Sequence, residues 1–561
     1  MFLETSIEGS NISREPWQEV ASRKRQERNE KISPAWKIPE SLLAPLGPLD
    51  DVSNLIEEQN LLTTRELELT NAEAIEVVSN IAAAVWTSEE VTRAICKRAA
   101  LAQQLTNCLT EIFFDEALAR AKELDQKQKN KESLGPLHGL PISLKDQFNV
   151  KGIDATIGYV SRCFKPATEN CILVDILLEA GAVLYCKTNV PTTLMSGETV
   201  NNVFGRTSNP FNRALSSGGS SGGESALIAL KGSYLGVGTD IGGSIRHPCH
   251  WTGLFGLRPS HGRVSYHGAA NTYLGQEALR SCAGPMARSA ADLKLFMSAL
   301  AASKPWLQDP QCIPMPWRME GGALPEKLCF GIGWHDNSVA PTPPVRRALE
   351  IAKKKLVDAG HNVIDYIPFE SVEGRLIVDK MCCADGGQEF QRDADASGEP
   401  LHFKIESWLG KTANVKPMTV FETWQNQHQR TQLAQKWSKR WEATVSETGT
   451  GRPIDALIMP SLPFPAVPHD SLYTSSYNTL CPLLDLTTGE FPVTKVDLAK
   501  DKMPVGQQPM SKLDEEAMKF YENPSKFENS RVGLSVIGRR LEEEKVLAML
   551  DLVSDIVGVD T

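Results

Sequence analysis

No stretch of about 18 apolar residues occurs in the 561-residue chain, so no segment is expected to span a membrane. Positive charge is also not in excess. Lys+Arg 59 against Asp+Glu 69 leaves a net charge of −10, the wrong sign for a phosphate-neutralising face, so nucleic acid is not an expected partner. The 12 cysteines lack framework spacing, and Cys382–Cys383 is only a vicinal pair. Reduced thiols in a cytoplasmic protein are the expected reading. The N-terminal MFLETSIEGSNISREPW holds no apolar signal core, so secretion is not encoded there. No internal repeat and no low-complexity tract is present. What remains is ordinary globular composition, 41% hydrophobic and 23% charged.

Residues 1–70 read as a polar, N-terminal helical extension, and residues 71–555 as one larger catalytic domain. The extension carries Arg23-Lys24-Arg25-Gln26-Glu27-Arg28. A nuclear or lipid-binding patch is one reading. The flanking Glu19, Glu27 and Glu30 favour the other, a solvated helix. Pro34, Pro39, Pro45 and Pro48 predict a loop-rich connection after it. A helix should begin near Thr87-Ser88-Glu89-Glu90, capped by Ser88, with Val91, Ala94, Ile95, Ala99, Ala102 and Leu105 on one apolar face. A second helix follows through Asp115–Asp125. Short apolar runs at Leu140–Leu144, Val183–Tyr185 and Tyr234–Val237 read as buried strands, with helices at Asn170–Ala180 and Glu224–Ala229 between them. Residues 300–450 are helix-rich and Trp-rich. Ala456–Met459 and Ser535–Gly538 read as strands, and Glu542–Val553 as a closing helix. This alternation predicts an α/β fold, a large mixed sheet covered by helices on both faces.

The informative stretch is Ser216–Pro259, which holds Gly218-Gly219-Ser220-Ser221-Gly222-Gly223 and Gly242-Gly243-Ser244. Small residues bring backbone N–H groups close to a ligand atom, as an oxyanion hole requires. A phosphate cradle is excluded in detail, because no G-x-x-x-x-G-K-[ST] occurs. Lys187-Thr188 has Cys186 where the second glycine belongs. Gly218–Gly222 matches G-x-S-x-G, which would require a later Asp/Glu and His in a Ser-His-Asp hydrolase. A flexible loop is also compatible with the composition. A fourth reading takes Lys145, at the end of the apolar run Leu140–Leu144, as a base. An ammonium behind a buried strand is desolvated, its pKa falls, and the neutral amine can accept a proton from a serine.

Several longer motifs occur in order: Gly135–Asp146 (GPLHGLPISLKD), Gly218–Glu224, Gly236–Arg246 (GVGTDIGGSIR), Gly256–Arg263, Ile313–Arg318 and Val536–Arg540. Through them residues from about 70 to 555 resemble the amidase signature family, closest to fungal acetamidases and more distantly to fatty acid amide hydrolase. The resemblance implies a Ser-Ser-Lys triad of Ser244 as nucleophile, Ser220 as proton relay after a cis peptide, and Lys145 as base. It implies oxyanion donors from the backbone of Ile241, Gly242, Gly243 and Ser244, and substrate contacts from Ser221 and Met195. Asp240 and Arg246 match an ion pair that braces the loop. The implied reaction is hydrolysis of a carboxylic amide through an acyl-enzyme, with no metal or organic cofactor. A homodimer is compatible with the resemblance. An amidotransferase subunit acting with partner proteins is the other class within the family.

Two departures from the family pattern stand out. His247, Cys249 and His250 lie within four positions, where relatives carry apolar or small residues. Packing near the active loop is the expectation, and a zinc site the alternative. Glu490, in Leu486–Thr494, stands where a valine is common beside the acyl pocket. It would either turn to solvent or shorten the apolar channel. Met459–Pro465 reads as a rigid loop after a strand.

Overall fold

The structure is a computed structural model that describes residues 15–368, 370–412, 416–473, 475–504 and 506–559. The first 14 residues, including most of the N-terminal stretch read above, lie outside the described residues.

Eleven strands form one sheet: β1 Leu109–Ile112, β2 Pro141–Lys145, β3 Val183–Thr188, β4 Leu235–Asp240, β5 Phe255–Arg258, β6 Cys282–Ala287, β7 Cys329–Ile332, β8 Asn362–Asp365, β9 Ala456–Met459, β10 Thr488–Lys495 and β11 Arg531–Ile537. Their order is β1-β3-β2-β4-β6-β5-β10-β11-β9-β7-β8. β2 runs parallel to β3 and β4, and β7 runs parallel to β8 and β9. The central pairs are antiparallel, so the sheet is mixed, as expected. The two parallel blocks need crossovers, and helices such as Ile172–Glu179 and Pro343–Asp358 supply them. Nearly every residue of β2, β3, β4 and β6 is buried, which explains their continuous apolar runs rather than alternation.

The strands extend one to three residues beyond the predicted ends on the C-terminal side. β2 reaches Lys145, β3 reaches Thr188 and β4 reaches Asp240. Polar residues there continue the ladder because they are buried and paired, which hydrophobic periodicity does not register. The helix predicted near Thr87 spans Ser88–Thr106, and Thr87 caps it by accepting from the Glu90 N–H. Ser88 is not the cap. It is the first helical residue, buried, and its N–H donates to Asp125.

The basic run is also not a solvated face. The helix Trp17–Glu30 lies beside β1. Lys24 is buried between Glu111 at 2.9 Å and Asp154 at 2.8 Å. Arg28 donates to the Leu109 carbonyl and to Asn107. Two of the cations are therefore structural clamps on the sheet edge. Of the glutamates that suggested a solvated helix, Glu27 is partly exposed yet also pairs with Lys24, at 3.1 Å, and Glu30 accepts from Gln26. Among the described residues no helix is long and apolar enough to cross a membrane.

Candidate active site

The site lies at the carboxyl ends of β2 and β4, where the chain leaves the sheet. β2 ends on Lys145, which is 0% exposed. Its Nζ lies 2.8 Å from Ser220 Oγ and donates to Thr239 Oγ1 at 2.6 Å. Thr239 Oγ1 in turn donates to Gln147 Oε1 at 2.6 Å. Burial pushes the Lys145 amine down to about 7, against the opposing pull of Asp240 and of Glu224 when that acid is ionised. A neutral amine has a lone pair, so Ser220 O–H can donate to it across the same contact.

Ser220 stands just before the helix Gly222–Ala229, and the Gly219–Ser220 peptide is cis. Gly219 fits because a Cβ there would approach the Ser196 carbonyl to 2.4 Å. Ser220 and Ser244 both line a narrow crevice of about 10 Å³ that also meets Thr239. Ser244 is the more exposed of the two. It opens onto a larger cavity of about 480 Å³, floored by Gly219, Ile241 and Gly242 and flanked by Met195, Leu462 and Tyr473. Arg375 and Asp379, an ion pair at 3.3 Å on the helix Glu370–Cys382, give that cavity a polar wall.

The loop between β4 and the helix Arg246–Thr252 is fixed by Asp240. Its carboxylate takes Arg246 Nε and Nη2, each at 3.1 Å, and the N–H groups of Gly243 at 2.8 Å and Ile245 at 3.2 Å. Arg258 lies 3.8 Å away. These cations and N–H donors hold Asp240 well below the ordinary carboxylate range despite its burial, so it stays charged. Gly242 C=O accepts from Asn478 Nδ2, so both ends of the Gly242–Gly243 peptide are tied. This bears on the expected donor set, because the Gly243 N–H already points at Asp240. Among the described residues the N–H groups of Ile241, Gly242 and Ser244 donate to no protein acceptor. Gly243 itself has φ +116°, and a Cβ there would meet His247 Nε2 at 2.2 Å. Ser221 is buried away from the cavity. Its Oγ accepts from the Thr239 N–H at 3.3 Å, so it supports β4 rather than lining the cavity.

The family profile named Amidase matches residues 90–547. The chain belongs to the amidase signature family. The amidase is similar over nearly its whole length to fungal relatives. "Putative amidase kk1C" of Curvularia clavata is 56% identical, covering 97% of this chain and 99% of that protein. An acetamidase of Emericella nidulans is 41% identical, covering 97% and 98%. Among solved structures, a fatty acid amide hydrolase superposes with a TM-score of 0.89 at 35% identity, covering 97% of this chain and 95% of that one. The enzyme is therefore a hydrolase of amide C–N bonds, and the motif-based resemblance holds.

The histidine–cysteine cluster of the amidase is packing. His250 has Nδ1 at 2.8 Å from the Gly533 carbonyl and Nε2 at 3.0 Å from the Phe464 carbonyl, and Cys249 faces the Phe255 carbonyl. His247 alone of the three lines the cavity, and burial beside Arg246 pushes it down to about 3, so it is uncharged there. Among the described residues no group of three potential ligands is suited to a metal.

Glu490 follows neither expectation. It is 0% exposed, so it does not face solvent, and it does not line the cavity. Its Oε2 accepts from Ser461 at 2.6 Å and from Ser535, and His250 lies 3.6 Å from Oε1. In β10, Glu490 pairs directly with Ser535 of β11, a long-range register that local sequence does not reveal. Glu490→Val is accordingly expected to leave the acyl-chain preference unchanged. It should destabilise the fold by about 1–3 kcal/mol, because the Ser461 and Ser535 hydroxyls lose their buried acceptor. Denaturant unfolding and a chain-length series on the same preparation check both parts.

Thr239 and Gln147 are site residues that the sequence reading passed over. Both lie inside or beside quoted motifs, one residue before Asp240 and two after Lys145. That position was the available signal.

Proposed function

We propose that the enzyme hydrolyses short or polar carboxylic amides to a carboxylate and ammonia or an amine, through an acyl-enzyme on Ser244. The observation that carries this reading is the 2.8 Å contact between a fully buried Lys145 amine and Ser220, beside the partly exposed Ser244 on the cavity floor.

Ser244 Oγ attacks the amide carbonyl carbon. Its proton passes to Ser220 Oγ as Ser220 gives its own to the neutral Lys145 Nζ. The carbonyl oxygen becomes an oxyanion, stabilised by the N–H groups of Ile241, Gly242 and Ser244, which are aimed before the charge appears. The C–N bond then breaks, and the lysine proton returns through Ser220 to the leaving nitrogen. Water repeats the sequence on the Ser244 ester and releases the acid. Asp240 takes no proton. With Arg246 it fixes the loop that presents the donors.

Substrate size follows from the cavity. A volume of about 480 Å³ with an Arg375–Asp379 wall accommodates a small acyl group carrying polar substituents more readily than an extended alkyl chain, which would lie against charge. A panel of acetamide, butyramide, benzamide, indole-acetamide and a long-chain fatty amide, read by ammonia release, tests this. The short and polar members are expected to have the higher kcat/KM. A clear preference for the long chain would contradict the size assignment. Absence of ammonia from every amide, with folded enzyme, would contradict the reaction.

A further inference from the structure

Behind Lys145 lies a second buried acid that the reaction scheme does not use. Glu224, in the first turn of the helix Gly222–Ala229, is 0% exposed. Its carboxyl reaches back over β2, β3 and β4. Oε1 accepts from Thr188 Oγ1 at 2.9 Å, and Thr188 is the β3 partner of Lys145. Oε2 lies 2.5 Å from Ser143 Oγ, and Ser143 is two residues before Lys145 on the same face of β2. Room for it exists because residue 236 on β4 is glycine, where a Cβ would fall 1.9 Å from Oε2.

The hydroxyl contacts can be counted. Ser143 Oγ is also 3.0 Å from Ser233 Oγ, and Ser233 donates to the Leu235 carbonyl at 2.9 Å. Glu224–Ser143, Ser143–Ser233 and Ser233–Leu235 are three contacts in a row, and each needs one hydrogen. The two serines supply two. With Glu224 ionised, one contact has no proton. With Glu224 protonated, the chain runs Glu224 to Ser143 to Ser233 to Leu235, each hydroxyl donating once. The surroundings agree. No backbone N–H donor and no ion pair to Glu224 occurs among the described residues. A buried carboxylate with only hydroxyl donors is costly.

We propose that Glu224 is a positioning residue held as a neutral carboxylic acid behind Lys145, which keeps an uncompensated negative charge away from the amine and so allows the amine to be uncharged at neutral pH. This rests on Lys145 acting as the base. From β2 the Lys145 amine faces Glu224, and it favours the carboxylate form only when it is itself protonated. From β3 and the segments beside it come Tyr185, Cys186 and Cys108. Burial pushes all three of these up, so they are neutral. Lys145 meets Asp240 from β4 as well, but that carboxylate is matched by Arg246. Burial likewise pushes Glu224 up to about 8.

The test compares wild type, Glu224→Gln and Glu224→Leu. Infrared difference spectra at neutral pH should contain the carbonyl stretch of a protonated carboxylic acid that disappears in Glu224→Gln. Glu224→Leu leaves Ser143 and Thr188 without their partner, and kcat is expected to fall about 10–100-fold with little change in KM. Gln, which offers a donor and an acceptor in the same place, should recover most of that loss without moving the acid limb of the pH–rate profile. Two results overturn the proposal. One is the absence of any acid band assignable to Glu224, with the acid limb of Glu224→Gln moved down by about one pH unit or more, the signature of a lost anion. The other is equal impairment of Gln and Leu. Should Glu224→Leu not fold, the infrared comparison decides alone. Because the band does not depend on turnover, a missing lysine-linked limb with the band present would count against the Lys145 base and not against the neutral acid.

Discussion

Ser244→Ala is expected to abolish amide turnover and to abolish covalent labelling by a serine-directed fluorophosphonate. The hydroxyl that attacks carbon is removed, and the N–H groups of Ile241, Gly242 and Ser244 that would hold the oxyanion are left without their attacking group. Loss of a nucleophile typically costs about 10⁴–10⁶-fold in kcat. Ser220→Ala should behave differently. Its crevice can admit a water in place of the hydroxyl, and Ser244 remains beside its donors, so slow labelling should persist while steady-state turnover falls severely. Intact-mass measurement of the labelled fraction against time separates the two variants. Equal labelling rates for Ser244→Ala and wild type would reverse the assignment.

Lys145→Met is expected to lose activity by about 10²–10⁴-fold, the usual worth of a positioned base, and yet to be more stable than wild type at pH 7–8. Both follow from one fact. Burial holds the folded Lys145 at about 7, whereas an unstrained lysine titrates at 10.5. Between those values the unfolded chain binds a proton that the native chain does not, so native stability rises with pH across the window and is greatest above it. At pH 7.5 wild type therefore carries most of the cost of discharging the lysine, several kcal/mol at about 1.4 kcal/mol per pH unit. Methionine has no such cost. The lost bonds to Ser220 and Thr239 subtract from the gain, leaving a net stabilisation of about 1–3 kcal/mol. Denaturant unfolding at pH 7.5 and again near pH 10 should show this advantage shrinking as pH rises. A variant that is destabilised equally at both values would mean that Lys145 is not neutral in the fold. In wild type the same protonation equilibrium makes activity rise with pH through about 7.

Much of this was legible in the chain. The runs that became β2, β3 and β4 are apolar because both faces are covered, and Lys145, Ser220 and Ser244 stand in motifs long enough to identify the family. What was not legible is pairing across distance. Lys24 reads as a surface charge until Glu111 and Asp154, far along the chain, are brought to it. Glu490 reads as either a surface or a pocket residue until Ser461, Ser535 and His250 enclose it. The Gly243 N–H reads as an oxyanion donor until Asp240 is seen to accept from it. In each case sequence pattern reports that a group is present, and only the tertiary register decides which partner consumes it. Thr239 shows the converse. It lies within a quoted motif, but its part as the second hydrogen-bond partner of Lys145 depends on the β2–β4 pairing.

The most direct measurement is to quench the enzyme during turnover of a slow amide or the matching activated ester, digest it, and locate the acyl group by mass spectrometry. The acyl mass is expected on the peptide containing Ser244, accumulating in a burst and disappearing as substrate is exhausted. An adduct on Ser220 or on any histidine, or turnover with no covalent adduct under conditions that trap an ester, would contradict the Ser244 acyl-enzyme.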